Sequence, residues 1–446
     1  MTEVVVRSEA ETPSVGTQRL APPGARIVRS EWGRKLMTFL MVMGPGLIVM
    51  AADNDAGAVS TYTEAGAKYG THLLWLLLLL LPCTYFVQEM VARLGIATGQ
   101  GHAAMIYKRF GKWWGVFSLV DLLVVNFLTL ITEFAAIALA AATMGITPYV
   151  AVPLVAAGLF AMVATASYRR WEKVTIFLCL FDLSWILLGV KFAPSAGHVA
   201  QSVLVPSIPL GGITSGLMFL VIAIVGTTIA PWQLFFQQSC VADKKLRFSD
   251  LKWARLDTFI GAIVVVSVAG CMMLAGYAAA HIKGFAYSDP AQMIAAIGVH
   301  YGPFVRNVML LLMCNAAILG ATAITLSSCW AYGEVKEWPS SLEMGIREAP
   351  GFYGFYALCV ALAAGIVLIP NAPLQLIILS VQVLAGIMLP SAIIFLQLLL
   401  NDKELLGDEF VNKPWNNYVN WTIIIVLFGL SLILAAQVVA PNLFPK

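Results

Sequence analysis

Two carboxylates stand in the middle of an apolar run long enough to cross a bilayer: Ala52-Asp53-Asn54-Asp55-Ala56-Gly57 interrupts residues 38–62. A second such run, 212–240, is interrupted by Gly226-Thr227-Thr228-Ile229-Ala230-Pro231. An ionised Asp at the centre of a lipid-embedded helix costs roughly 2.5–3.5 kcal/mol on insertion scales, so two of them beside a glycine argue for function over packing. A helix broken at that depth frees backbone carbonyls and amides, which is tolerated only where they line a cavity or bind something. The two breaks therefore predict a mid-membrane cation site.

The rest of the chain fits that setting. Of 446 residues, 60% are hydrophobic and 11% charged, with a mean hydropathy of +0.84, so the chain reads as an integral membrane protein and not as a soluble enzyme. Runs long enough for a hydrocarbon core of about 30 Å recur eleven times. They fall near 38–62, 72–96, 114–142, 148–166, 172–194, 212–240, 258–280, 303–331, 353–370, 374–398 and 417–440. With eleven spans the loops alternate sides, and 22 Lys and Arg then fall on one side against 5 on the other. That bias predicts a cytoplasmic N-terminus and an extracytoplasmic C-terminus in a multi-pass protein of the inner (plasma) membrane. The net charge of +3 follows from this asymmetry and offers nothing to nucleic acid.

The expected fold is all-α, with about eleven transmembrane helices. Spans one and six carry the breaks, five spans apart, which is the pattern of two inverted five-helix repeats holding substrate between unwound segments. The division expected is a cytoplasmic disordered tail over 1–36, a first repeat over 37–200, a second over 201–400, and a cytoplasmic loop with an eleventh helix over 401–446. Seven cysteines lie within or at the ends of spans without the paired spacing of a zinc or redox motif, and read as structural thiols.

Asp55 is the first candidate for the ion, since a carboxylate is the natural hard ligand for a divalent metal; its other reading is the N-cap of the second half of span one. Asp53 either approaches a hydrated ion or pairs with a distant group, and Asn54 either ligates or caps. Gly226, Thr227 and Thr228 offer carbonyls and hydroxyls, unless the hydroxyls bond back into their own helix. Pro231 removes a backbone donor and holds that break open. Gln382 in span ten is either a ligand or an interhelical hydrogen bond. Glu133 is a buried acid in span three with no sequence-local partner. Glu89 and Arg93, spaced i, i+4 near the inner end of span two, read as a structural salt bridge or cytoplasmic gate. His72, His102, His198, His281 and His300 all fall in or beside loops, so the residue best suited to titrate near neutral pH is missing from both breaks.

At this point the chain resembles the Nramp divalent-metal transporters. Gly44-Pro45-Gly46 followed by Asp55-Ala56-Gly57 is similar to that family's first helix, whose hallmark is Asp-Pro-Gly-Asn. Residues 92–99, Ala-Arg-Leu-Gly-Ile-Ala-Thr-Gly, resemble its second-helix ending, and Thr228-Ile229-Ala230-Pro231-Trp232-Gln233 its sixth-helix Met-Pro-His-Asn stretch. Gln382 with Leu389-Pro390 resembles its tenth helix, and the likeness spans about residues 38–410. The resemblance implies that Asp55 keeps the family's metal-binding Asp and that the carbonyls of Ala52 and Thr227 occupy ligand positions.

The departures carry the expectation about the ion. The hallmark Asn has become Ala58, the metal-binding Met has become Ala230, and the two sixth-helix histidines have become Trp232 and Gln237, while Leu130 stands where the third-helix Asp would be. A thioether favours Mn²⁺ and Fe²⁺ over Mg²⁺, so replacing it with a methyl group removes that preference and widens the site. Mg²⁺ keeps several waters and is held through a few carboxylates, which suits an oxygen-only site with Asp53, Asn54, Thr228 and Gln382 around it. This pattern resembles the Nramp-related magnesium transporters, the branch in which loss of titratable groups accompanies uncoupling from protons. The expectation is a monomeric, cofactor-free secondary transporter for Mg²⁺ that also admits Mn²⁺, its partners the ion and the lipid bilayer, with Gly57, Glu89, Arg93, Glu133, Pro231, Trp232, Gln233 and Gln237 in gating or structural roles. Alternatives are a proton-coupled Mn²⁺/Fe²⁺ symporter, a sodium-coupled organic-solute symporter of the same fold, and a non-transporting metal sensor.

Overall fold

The structure, a computed structural model, describes residues 31–209, 211–370 and 373–439. Most of the expected N-terminal tail and the C-terminal Lys446 lie outside the described residues. The helices run in chain order α1 (Glu31–Val42), α2 (Pro45–Ala52), α3 (Ala56–Tyr69), α4 (Leu74–Thr98), α5 (His102–Phe110), α6 (Lys112–Thr143), α7 (Pro148–Val163), α8 (Tyr168–Asp182), α9 (Ser184–Phe192), α10 (Ala196–Leu204), α11 (Ser215–Thr228), α12 (Pro231–Asp243), α13 (Leu251–Ala280), α14 (Pro290–Tyr301), α15 (Pro303–Val335), α16 (Pro350–Val367), α17 (Leu374–Leu399), α18 (Lys403–Phe410) and α19 (Pro414–Val439). No strand occurs among the described residues.

Helix starts follow local chemistry. Proline occupies the first turn of α2, α7, α12, α14, α15 and α16, where its missing N–H leaves no hydrogen bond unmade. Asp55, Thr214 and Asp289 cap α3, α11 and α14 with side-chain oxygens. Nine helical segments among the described residues are long and apolar enough to span a membrane, or ten if α1 and α2, bent by 50°, form one span. The eleven expected spans include α7, which at 16 residues falls short of that length, so the count of eleven is larger than the structure supports by length alone. The expected first span is broken twice: a kink at Met43-Gly44 separates α1 from α2, and the acidic turn separates α2 from α3.

The outside of the bundle is apolar. Leu154, Leu187, Val190 and Ile425 are among many large apolar side chains left exposed on its outside, whereas α2, α3, α11, α12 and α15 are buried over much of their length. Trp113 and Trp114 at the start of α6, and Trp415 and Tyr418 at the start of α19, are exposed at the helix ends, the position of an aromatic belt. The two broken helices form the centre, where α3 packs on α13, α11 and α17.

Small residues let the breaks close around one residue of α17. A methyl group on Gly57 would overlap Gln382 Nε2, and one on Gly226 would overlap the Gln382 carbonyl oxygen, so both glycines are needed for α3 and α11 to approach α17 from two sides.

Candidate metal-ion site

The first break is a three-residue turn. Helix α2 ends at Ala52, and Asp55 starts α3 by accepting a hydrogen bond from the Ala58 amide at its Oδ1, 2.9 Å away. The N-cap reading of Asp55 is therefore correct, and it leaves the carboxylate buried at the positive end of a helix with a second oxygen free of that bond. Asp53 and Asn54, between the half-helices, are buried as well.

The second break is set by Ile229 and Ala230, both extended, and by Pro231 at the first position of α12. Thr228 Oγ1 lies 2.6 Å from the Ile224 carbonyl within its own helix and 2.7 Å from the Tyr62 hydroxyl of α3, tying one break to the other. Thr227 Oγ1 is buried without a hydrogen-bond partner. Ala230 is buried at the start of α12. Trp232 packs in the core, where its carbonyl accepts from Ser327 Oγ at 3.0 Å. Gln237 Nε2 donates to Thr258 Oγ1 at 3.0 Å.

Side chains from three helices and a backbone carbonyl from a fourth converge on the acidic turn. Gln233 of α12 donates through Nε2 to Asp53 Oδ1, and Gln88 of α4 donates to Gln233 Oε1 at 2.8 Å. Asn54 Nδ2 donates to the Val265 carbonyl of α13 at 3.3 Å. Glu133 of α6 accepts from the Ala56 amide at 3.1 Å and stands beside Asp55, both packed against Gly320 of α15: a Cβ there would lie 2.7 Å from Asp55 Cβ and 2.9 Å from Glu133 Oε2. The partner that sequence could not supply for Glu133 is thus the start of α3 and Asp55 itself.

The electrostatics of this arrangement are one-sided. Asp53, Asp55 and Glu133 are buried, and no Lys or Arg lies within ion-pair distance of any of them among the described residues. Asp53 Oδ2, Asn54 Oδ1, Thr227 Oγ1, Glu133 Oε1, Gln88 Oε1 and Gln237 Oε1 are buried acceptors with no donor. Buried acceptors without donors cost about 1–3 kcal/mol each, more when charged, unless something positive meets them. No group of three His, Cys, Asp or Glu with metal-holding geometry occurs among the described residues. The donors on offer are oxygens from carboxylates, amides, a hydroxyl and helix-end carbonyls, the set for a hard, partly hydrated cation.

Three of the residues here went unread in the sequence. Gln88, adjacent to Glu89, was overshadowed by its charged neighbour, although a glutamine amid apolar residues is itself a signal. Tyr62 and the Val265 carbonyl gave none, because only the packing of α3 on α11 and α13 brings them in. Glu89 and Arg93 do pair, at 3.3 Å, and Arg255 joins Glu89 at 2.9 Å. Arg93 also donates to the Phe410 carbonyl and to Asn412 Oδ1, at 2.6 and 2.7 Å, so the pair is part of a network binding α4 and α13 to the segment before α19.

Comparison with known proteins bears on this geometry. The sequence profile of a family described as natural resistance-associated macrophage protein-like (Nramp) matches residues 46–437. Two relatives named divalent metal cation transporter MntH, from Staphylococcus aureus and Latilactobacillus sakei, are 24% and 26% identical over 432 residues each, about nine tenths of either chain. Among solved structures, the Eremococcus coleocola manganese transporter in complex with an aromatic bis-isothiourea compound superposes with a TM-score of 0.74 at 18% identity, covering 93% of this chain and 90% of that one. MhsT in complex with L-phenylalanine superposes with a TM-score of 0.58 at 15% identity, covering 88% of this chain and 98% of that one.

Proposed function

This chain belongs to the Nramp family of membrane transporters, and on that premise we propose that it carries divalent metal ions across the membrane, Mg²⁺ foremost and Mn²⁺ with it. The observation that carries the reading is the uncompensated negative centre at the first break: three buried carboxylates and several donorless oxygens with no basic side chain among them. An ion bound there contacts Asp55 and Asp53 directly or through water. The Ala52 and Thr227 carbonyls, Gly226, Asn54 and Gln382 complete a partly hydrated shell, while the Thr228 hydroxyl, bonded back to Ile224 and across to Tyr62, holds the break instead of ligating.

Selectivity follows from what is missing. Ala230 brings no sulfur to the second break, so nothing in the shell prefers a soft transition metal, and the shorter side chain leaves space for retained water. Trp232 and Gln237 bring no titratable group. Uptake then needs no coupled proton, because a potential of 100 mV supplies about 2.3 kcal/mol per charge, doubled for a divalent ion. The proposed orientation has the N-terminus in the cytoplasm of a plasma membrane, with five-helix repeats over 37–200 and 201–400, the loop and last helix over 401–446, and a monomer as the working unit.

Proteoliposome flux tests this reading. Wild-type protein takes up Mg²⁺ and Mn²⁺ without acidifying the lumen, and Asp55→Ala loses uptake of both; failure to carry Mg²⁺ overturns the choice of ion. One observation favours a second reading: Glu133 beside Asp55 is a pair of acids placed to share a proton, which suits a proton-coupled Mn²⁺ carrier. Lumen acidification that tracks Mn²⁺ entry would select it. The organic-solute reading has only the broad fold likeness to support it, and three acids at the break are ill suited to a substrate carboxylate.

A further inference from the structure

A cavity of about 530 Å³ opens beside the far end of α3, between Glu64 and Lys68 on that helix, Tyr287 and Asp289 before α14, and Gln375 at the start of α17. In the proposed orientation this is the extracytoplasmic side. Glu64 is its buried acid: the side chain is 8% exposed, whereas that of Lys68, its partner at 2.6 Å, is 52% exposed. The second Glu64 oxygen accepts from Gln375 Nε2 at 3.1 Å, and Gln375 Oε1 accepts from Ser60 Oγ at 2.9 Å. Tyr287 donates to the Ser60 carbonyl at 3.1 Å and so holds the same turn of α3.

This chain of contacts points toward the ion site. Ser60 lies one turn beyond Gly57 on α3, and Gln375 lies two turns before Gln382 on α17, while Gly57 and Gln382 are in contact. At 1.5 Å per residue the two glutamines are about 10 Å apart along one face of α17. The cavity floor is therefore the contact between α3 and α17, closed by the Ser60–Gln375–Glu64 hydrogen bonds; beyond it the buried Ile378 and Leu379 separate Gln375 from Gln382, which meets Gly57 beside the turn that holds Asp55.

We propose that Glu64 is an outer recruitment site for the hydrated divalent cation, which displaces the Lys68 ammonium from the carboxylate before passing inward. The geometry suits exchange: the carboxylate is fixed by the protein, and its counter-ion is a half-exposed flexible chain that can swing into water at little cost. A carboxylate in a low-dielectric recess focuses cations, and its effect on capture is salt-dependent. The proposal rests on the reading of the chain as a divalent-ion transporter.

The test is initial-rate Mg²⁺ and Mn²⁺ uptake against concentration, at low and high monovalent salt, in oriented proteoliposomes of the full chain. Glu64→Gln keeps an acceptor for Gln375 Nε2 and removes only the charge. It raises the half-saturation concentration about fivefold at low salt, with the maximal rate within about twofold of wild type, and high salt narrows the gap. Lys68→Ala, which frees the carboxylate, lowers the half-saturation concentration. Equal half-saturation for wild type and Glu64→Gln at low salt overturns the proposal, and so does a fall in maximal rate alone, which would make Glu64 a structural latch. A wild type that carries neither ion overturns the transport reading itself, an outcome distinct from either of these.

Discussion

Asp55 caps α3 with the same carboxylate that the proposed ion would meet. One oxygen caps α3, so the carboxylate is pinned by the backbone before any ion arrives, while its neighbour Glu133 and the donorless Asp53 oxygen set the charge around it. Asp55→Asn keeps a capping oxygen but removes the charge, so it folds and loses at least tenfold in uptake, about 1.4 kcal/mol of ion interaction, read as flux with unchanged thermal stability. Ala230→Met restores a thioether at the second break and shifts the ratio of Mn²⁺ to Mg²⁺ uptake toward Mn²⁺; an unchanged ratio would mean that softness is not the selector. Gly226→Ala acts differently, because its methyl meets the Gln382 backbone and must separate α11 from α17. It lowers stability by about 1–3 kcal/mol, measured by thermal denaturation in detergent.

At the scale of helices, the breaks are held from outside the site. Asp257 of α13 accepts from the Gly44, Gly46 and Leu47 amides at 3.2, 2.7 and 3.2 Å, satisfying the start of α2, while Lys244 donates to the Val42 and Met43 carbonyls that end α1 and to Glu172 at 2.6 Å. The kink is thereby bonded on both sides, which a sequence reading of Gly44-Pro45-Gly46 alone does not reveal. The short helix α5 adds a pH dependence. His102 is buried outside the membrane-spanning helices, against Phe235 and with Gln238 Oε1 2.9 Å from its Nδ1, and burial pushes its pKa down to about 4 from the usual 6.5. Because the unfolded chain then binds a proton that the folded one refuses, stability falls as pH drops from about 6.5 to 4, by on the order of 3 kcal/mol, and levels off below. His102→Gln flattens that slope in thermal melts across this pH range.

For the whole molecule the prediction concerns energy. If the ion enters between the broken helices with its own two charges and no proton, an inside-negative potential accelerates Mg²⁺ uptake and an inside-positive one slows it, with the pH inside the vesicles steady throughout. Flux that ignores the potential but follows a pH gradient would replace this picture with coupled transport. The closed network of Glu89, Arg93, Arg255 and Asn412 belongs to the same scale, since it joins α4, α13 and the approach to α19 at the end of the molecule opposite the Glu64 cavity. Arg93→Met, which removes the donor to three acceptors, favours opening at that end and raises the accessibility of cysteines introduced along α4 to membrane-impermeant reagents added on that side.

The broken helices, the membrane setting and Asp55 as the cap of α3 were legible in the sequence, because hydrophobic run length and a polar interruption are local properties that lipid enforces on every chain. Pro231 at the start of α12 was legible too, and the Thr228 hydroxyl took the reading in which it bonds back into its own helix. What only the tertiary structure decided is which side chains meet across the breaks. Gln88 reaches Asp53 only through Gln233, Glu133 finds its partner in the Ala56 amide, and Gln382 seats itself between Gly57 and Gly226. These contacts join residues that are far apart in the chain, and their geometry depends on how α3, α6, α11, α12 and α17 cross. The run length of each helix constrains its depth in the bilayer but not its rotation about its own axis, so the pattern that announces a site does not say which neighbours will face it.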